Sequence, residues 1–138
     1  MGLFRRKSVP LRCVPTHRLG GKHLGCLGER VAVRYLRRRG YAILGRNVQL
    51  GRYEIDIIAR KGDTTAFVEV KTRREDALAP PEETVHQVKR RHIRAAARQY
   101  IARDDDPERY YRFDIAAVTV PDRGKPSVTY YENAFPDV

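Results

Sequence analysis

The chain is short of several things, and each shortage excludes a class of protein. It holds two cysteines, Cys13 and Cys26, in 138 residues. That is too few for a disulfide scaffold, and the second pair that a Cys-rich zinc site needs is missing. No apolar run approaches the roughly 20 residues of a bilayer span. The first residues carry charge but no apolar stretch of signal-peptide length, and Arg6 stands where a myristoylation motif after Met1-Gly2 needs Ser or Thr. A cytoplasmic protein with no membrane attachment is therefore expected. Acid is also scarce: 17 Asp and Glu against 28 Lys and Arg leave a net charge of +11.

Such an excess points to an acidic partner, most often nucleic acid, although solubility alone can account for surface charge. Its distribution is uneven. Residues 1–25 contain Arg5, Arg6, Lys7, Arg12, Arg18 and Lys22 and no acid, so they carry +6 of the total +11. Residues 1–24 lack sustained periodicity and read as a flexible basic arm, with a single domain over 25–138.

Within the domain, Leu27, Val31, Tyr35 and Leu36 recur at helical spacing, which predicts a helix from Leu24 to Arg39, stopped by Gly40. Strands are expected over Tyr41–Leu50 (broken near Gly45), Tyr53–Arg60 and Thr64–Thr72, with a hairpin turn at Lys61-Gly62-Asp63. A loop with two prolines covers 74–82. A second helix runs from Glu83 to Arg103, with Val85, Val88, His92, Ala95, Ala96 and Gln99 along one face. Tyr110–Val120 and Ser127–Glu132 complete the order α-β-β-β-α-β-β, a mixed α/β (α+β) domain with no internal repeat.

The chemistry concentrates in Glu54-Ile55-Asp56-Ile57-Ile58 and Phe67-Val68-Glu69-Val70-Lys71. Side chains alternate along a strand, so Ile55, Ile57 and Ala59 share one face and Glu54, Asp56 and Ile58 the other. A two-residue turn at Gly62-Asp63 places Asp56 directly opposite Glu69. A turn at Lys61-Gly62 makes them diagonal neighbours. Either register leaves both carboxylates on one face, about 5–8 Å apart at Cβ. Like charges paired across strands repel. A fold keeps them when a cation lies between them or when one is protonated. Lys71 shares the face of Glu69, so a structural ion-pair cluster is one explanation. A Mg²⁺ site for phosphodiester hydrolysis is the other.

These residues resemble the active-site signature of the PD-(D/E)XK, or restriction-endonuclease-like, nucleases: Asp56, twelve residues, then Glu69-Val70-Lys71. A wider set runs from Gly25-Cys26-Leu27-Gly28-Glu29-Arg30-Val31-Ala32 through Gly40-Tyr41, Asn47, Glu54–Ala59 and Phe67–Arg73 to Thr84-Val85, Lys89 and Arg112-Phe113-Asp114. Over about residues 24–120 this set resembles the YraN-like family of small bacterial proteins, related in fold to archaeal Holliday junction resolvases. The resemblance implies a central mixed β-sheet flanked by helices. It implies that Asp56, Glu69 and the carbonyl of Val70 hold Mg²⁺ or Mn²⁺, that Lys71 is the catalytic lysine, and that Glu29 completes the site from the first helix. The family usually has Gly before Glu-Ile-Asp; here Tyr53 stands there.

Some roles stay open at this level. Glu29 is also what a helix dipole favours near an N-terminus. Asp114 suits structural hydrogen bonding better than metal ligation. Lys89, Arg90, Arg91 and Arg94 on the second helix, with Arg73, form either a solvated basic face or a grip on phosphates. The expected activity is metal-dependent hydrolysis of DNA, selective for structure rather than sequence, with branched or single-stranded DNA as candidates. A non-catalytic nucleic-acid-binding module of the same fold is the alternative. A nuclease that cuts both strands of a symmetric junction would be a two-fold dimer.

Overall fold

The structure, a computed structural model, describes residues 21–76, 87–104 and 106–135. The elements are α1 (Gly21–Arg38), β1 (Ala42–Leu50), β2 (Tyr53–Lys61), β3 (Thr64–Arg74), α2 (Gln87–Arg103), β4 (Tyr110–Val120) and β5 (Ser127–Tyr131). The order is the expected one. α1 begins three residues earlier than its apolar spacing suggested. The loop expected over 74–82 begins later, because β3 runs on through Arg74; its residues 77–82, the expected helix start at Glu83 and the arm before residue 21 lie outside the described residues. Among the described residues no helix is long and apolar enough to cross a membrane.

The five strands form one open sheet in the order β1-β2-β3-β4-β5. Only β3 and β4 run parallel. A parallel neighbour needs a crossover, and α2 lies on it. The break expected near Gly45 is a register shift between Ile43 and Gly45.

Helices cover both faces, so the sheet strands read as dense apolar runs. On one face Ala32, Val33 and Leu36 of α1 pack on Ile57, Ala59, Ala66, Val68, Ala116 and Val118. On the other, Ile93, Ala96 and Ala97 of α2 pack on Ile58, Phe67, Phe113 and Ile115. The buried stripe of α2 is rotated from the expected one: Val88 is 59% exposed. The stripe runs instead through Ile93, Ala96, Ala97 and the half-buried Tyr100, and its two alanines let the helix approach the sheet closely.

One buried polar cluster braces the far strands. Asp114, with no exposed surface, accepts two hydrogen bonds from Arg112 at 2.8 and 2.9 Å, one from the Tyr130 hydroxyl at 2.6 Å and one from the Asn133 amide at 2.9 Å. Arg112 also donates to the Tyr41 hydroxyl at 2.8 Å, which ties β4 to the start of β1. Asp114 is thus committed to the structural role that its sequence setting favoured. Removing one partner of a buried ion pair strands the other, so Asp114→Ala should destabilise by about 3–5 kcal/mol in urea denaturation.

Candidate functional site

The β2–β3 hairpin turns through Gly62-Asp63. Gly62 has φ +60°, and Lys61 pairs with Thr64. A glycine at the first turn position fits a two-residue hairpin connection. The register then runs without slip to Ile57↔Val68, where pairing stops. One step further stand Asp56 and Glu69, opposite each other where the two strands part. Of the two registers that the sequence allowed, this is the direct one.

On the other side of β2, the pairs step from Arg46↔Ile57 to Val48↔Ile55 and skip Asn47 and Asp56. Asn47 has φ +48°, a left-handed conformation that Asn tolerates better than most residues. The alternation of β2 breaks at this place. Ile55 packs with the α2 core beside Ile58, whereas Ile57 packs with the α1 core. Strict alternation had put Ile55 and Ile57 on the same face. The kink at Asn47–Asp56 moves Ile55 across and leaves Asp56 at the rim.

Groups from both faces of the sheet converge there. The Asp56 carboxylate accepts the amide of Val70 at 2.9 Å. Glu69, only 4% exposed, lies on the α2 face; its Oε1 is 3.8 Å from the Lys71 ammonium and 3.6 Å from that of Lys89. Its Oε2 is buried and receives no hydrogen bond from the described residues. Burial raises the pKa of Glu69 to about 8, helped by the charge of Asp56 and opposed by Lys89 and Lys71. Burial raises that of Asp56 too, against the Val70 amide, which favours its charged form. Of the two, Glu69 is the more readily protonated. Glu29 enters from α1. The Asn47 side-chain amide donates to its carboxylate at 2.9 Å. Burial pushes its pKa up, Asn47 opposes this, and Asp56 adds to it.

Glu29 reaches this position because α1 lies unusually close to β3. A Cβ on Gly28 would fall 1.7 Å from Oγ1 and 2.8 Å from Cβ of Thr72. Only glycine fits between the helix and that strand.

The remaining expected residues separate. Lys89 joins the carboxylates. Arg90 and Arg94 lie over the Phe135 ring, at 5.3 and 5.9 Å from its centroid. Arg91 is exposed, and Arg73 is half-buried two residues beyond Lys71. Tyr53, in the place of the family glycine, stacks on His92 of α2 with ring centroids 4.4 Å apart. Sequence reasoning gave Asn47 no role and left Lys89 among the phosphate-binding candidates. Their roles depend on contacts between distant elements. Among the described residues no group of three or more His, Cys, Asp or Glu side chains is arranged to hold a metal ion. The donor set is the Asp56–Glu69 pair.

The model of "Uncharacterised protein family UPF0102" matches residues 28–118, a span that contains Glu29, Asp56, Glu69 and Lys71. The chain belongs to the UPF0102 family. It is 42% identical over 118 residues to a UPF0102 protein of Geotalea uraniireducens, covering 86% of this chain and 93% of the relative. It is 40% identical over 119 residues to one of Nocardia farcinica, covering 86% and 94%. It is 42% identical over 114 residues to one of Alkaliphilus metalliredigens, covering 83% and 98%. The YraN-like resemblance thus holds at the level of the family.

Two predictions follow from the geometry. Gly28→Ala should cost about 1–3 kcal/mol through overpacking, and Thr72→Ala in the same chain should restore most of it in thermal unfolding. Glu69 has a folded pKa above its unfolded value. Below the unfolded value both states are protonated and nothing changes. As pH rises from about 4.5 to 8 the unfolded chain releases a proton that the folded chain keeps, so stability falls. Glu69→Gln should remove this loss and raise Tm at pH 8 by on the order of 5 °C, with little effect at pH 4.

Proposed function

We propose that this UPF0102 protein is a divalent-metal-dependent nuclease that hydrolyses DNA phosphodiester bonds. The observation that carries the proposal is the buried Glu69. It is 4% exposed, its Oε2 accepts no hydrogen bond from the described residues, and it faces a second carboxyl group, Asp56, close enough to share a proton with it. Such a site strongly favours a positive charge. Asp56, Glu69 and the backbone carbonyl of Val70 are hard oxygen donors of the kind that Mg²⁺ and Mn²⁺ prefer. They fit the PD-(D/E)XK site that the motif implies.

When bound, the cation would supply Lewis-acid stabilisation of negative charge on the phosphoryl oxygens. The rest falls to the chain. The Val70 amide holds Asp56 in place. Lys71, beside Glu69, is placed to neutralise the scissile phosphate or orient the attacking water. Glu29, with its raised pKa and its carboxylate fixed by Asn47, is suited to take the proton from that water. The water oxygen joins phosphorus, one phosphorus–oxygen bond to sugar breaks, and the leaving oxygen takes up a proton. Lys89 and Arg91, with Arg73, would grip flanking phosphates, and Arg90 and Arg94 would support them from their seat on Phe135. Cutting both strands of a symmetric junction would require a two-fold dimer.

One observation favours the non-catalytic reading. Lys71 and Lys89 already stand on Glu69, as in a purely structural cluster. Incubation with linear, single-stranded and four-way-junction DNA in Mg²⁺ or Mn²⁺ separates the two. Cleavage should stop in EDTA and fall by about 100-fold or more in Asp56→Asn and Lys71→Ala. Mn²⁺ should raise the Tm of the wild type but not of Asp56→Asn. Cleavage that survives both substitutions, or a Tm indifferent to metal, would overturn the nuclease reading.

A further inference from the structure

The candidate site leaves the outer side of α1 without a role, and that side is densely basic. Among its 18 residues α1 has a single acid, Glu29. Arg30, Arg34 and Arg38 recur every four residues, hence about 6 Å apart along the axis, with Arg37 beside them. With Arg46 of β1 they line a groove of about 560 Å³, floored by Leu27, Val31 and Pro126. None of the residues lining it is acidic. A neighbouring hollow of about 380 Å³ continues past Arg34 and Arg38 to Lys125. Like charges at four-residue spacing oppose helix formation, so the row carries a cost within α1 itself.

Arg46 connects the groove to the carboxylates. Its Nε and Nη2 are buried and find no acceptor among the described residues. Buried donors left unpaired are costly, so the fold holds this guanidinium beside the groove at a cost in stability. Its charge also lowers the pKa of Glu29 against the effect of burial. The next residue, Asn47, holds the Glu29 carboxylate.

We propose that this groove is the track for the phosphodiester backbone of the DNA strand that leads to the carboxylates, with Arg46 gripping the phosphate closest to Glu29. Guanidinium groups match phosphate oxygens two by two. The eight steps from Arg30 to Arg38 span about 12 Å, room for about three phosphates of a strand that rises ~3.4 Å per nucleotide. The groove shares Arg34, Arg38 and Pro126 with the second basic hollow, so basic lining extends past one anion's width, as a polymer requires and a single small anion does not. Its direction toward the carboxylates rests on the nuclease reading; its affinity for DNA does not.

The test measures binding without cleavage. Fluorescein-labelled single-stranded and duplex oligonucleotides are titrated with the full chain in EDTA at several salt concentrations, with anisotropy as the readout. Arg34→Gln/Arg37→Gln should weaken binding about tenfold and reduce the salt slope by about 2. Arg46→Gln should weaken it and reduce the slope by about 1, while exposed Arg60→Gln should stay within about twofold of wild type. Unchanged Tm in each variant confirms folding. Unchanged affinity and slope in the groove variants would overturn the track and leave the nuclease reading standing. Groove-dependent binding by a chain that never cleaves would do the reverse. Equal binding of poly-glutamate, or no DNA binding by the wild type at low salt, would also overturn it.

Discussion

Two carboxyl groups share a largely buried place at the end of the β2–β3 ladder, and much of the surrounding structure follows from that strain. Asp56 and Glu69 are opposed because the Gly62-Asp63 turn sets an unslipped register. Burial and their mutual repulsion favour the neutral forms, and Glu69 yields first because the Val70 amide favours the charged form of Asp56. Lys71 comes from the same strand and Lys89 from the helix above, and together they offset what charge remains. A place that holds two acids and attracts cations from two elements is chemically poised.

The two helices bring opposite signs to this rim. α1 delivers an acid, Glu29, through the close contact at Gly28 and Thr72, and it presents arginines along its outer side. α2 delivers Lys89 and seats Arg90 and Arg94 on Phe135. Along α1 and α2 a polyanion would therefore meet positive charge, with Glu29 the one acid on the described residues of either helix. That arrangement suits a reaction in which phosphate must be attracted while a cation is retained.

Much of this was legible from residue order. The element order and the acid-bearing hairpin follow from periodicity and turn chemistry, because both are local. The choice of Asp114 as a structural residue follows from its place between Phe113 and Ile115, ahead of an apolar run. What misled was alternation near a kink: Ile55 crosses to the α2 core because Asn47 adopts a left-handed backbone on the neighbouring strand. The buried stripe of α2 was also displaced. Val88 matches helical spacing as well as Ile93 does, and only the position of the sheet decides which one is covered.

The sequence by itself determined the basic character, the mixed α/β order, the common face of Asp56, Glu69 and Lys71, and the family. The first three rest on composition or on spacing along single elements, and the family on an ordered set of residues over about 24–120. The tertiary structure decided the direct opposition of the two carboxyls, the attachment of Glu29 to Asn47, the placement of Lys89 over Glu69, and the junction of the α1 groove with the site through Arg46. Those relations join residues from elements far apart in the chain. They depend on how closely a helix can approach a strand and on where a ladder stops pairing, and neither quantity is written in local periodicity.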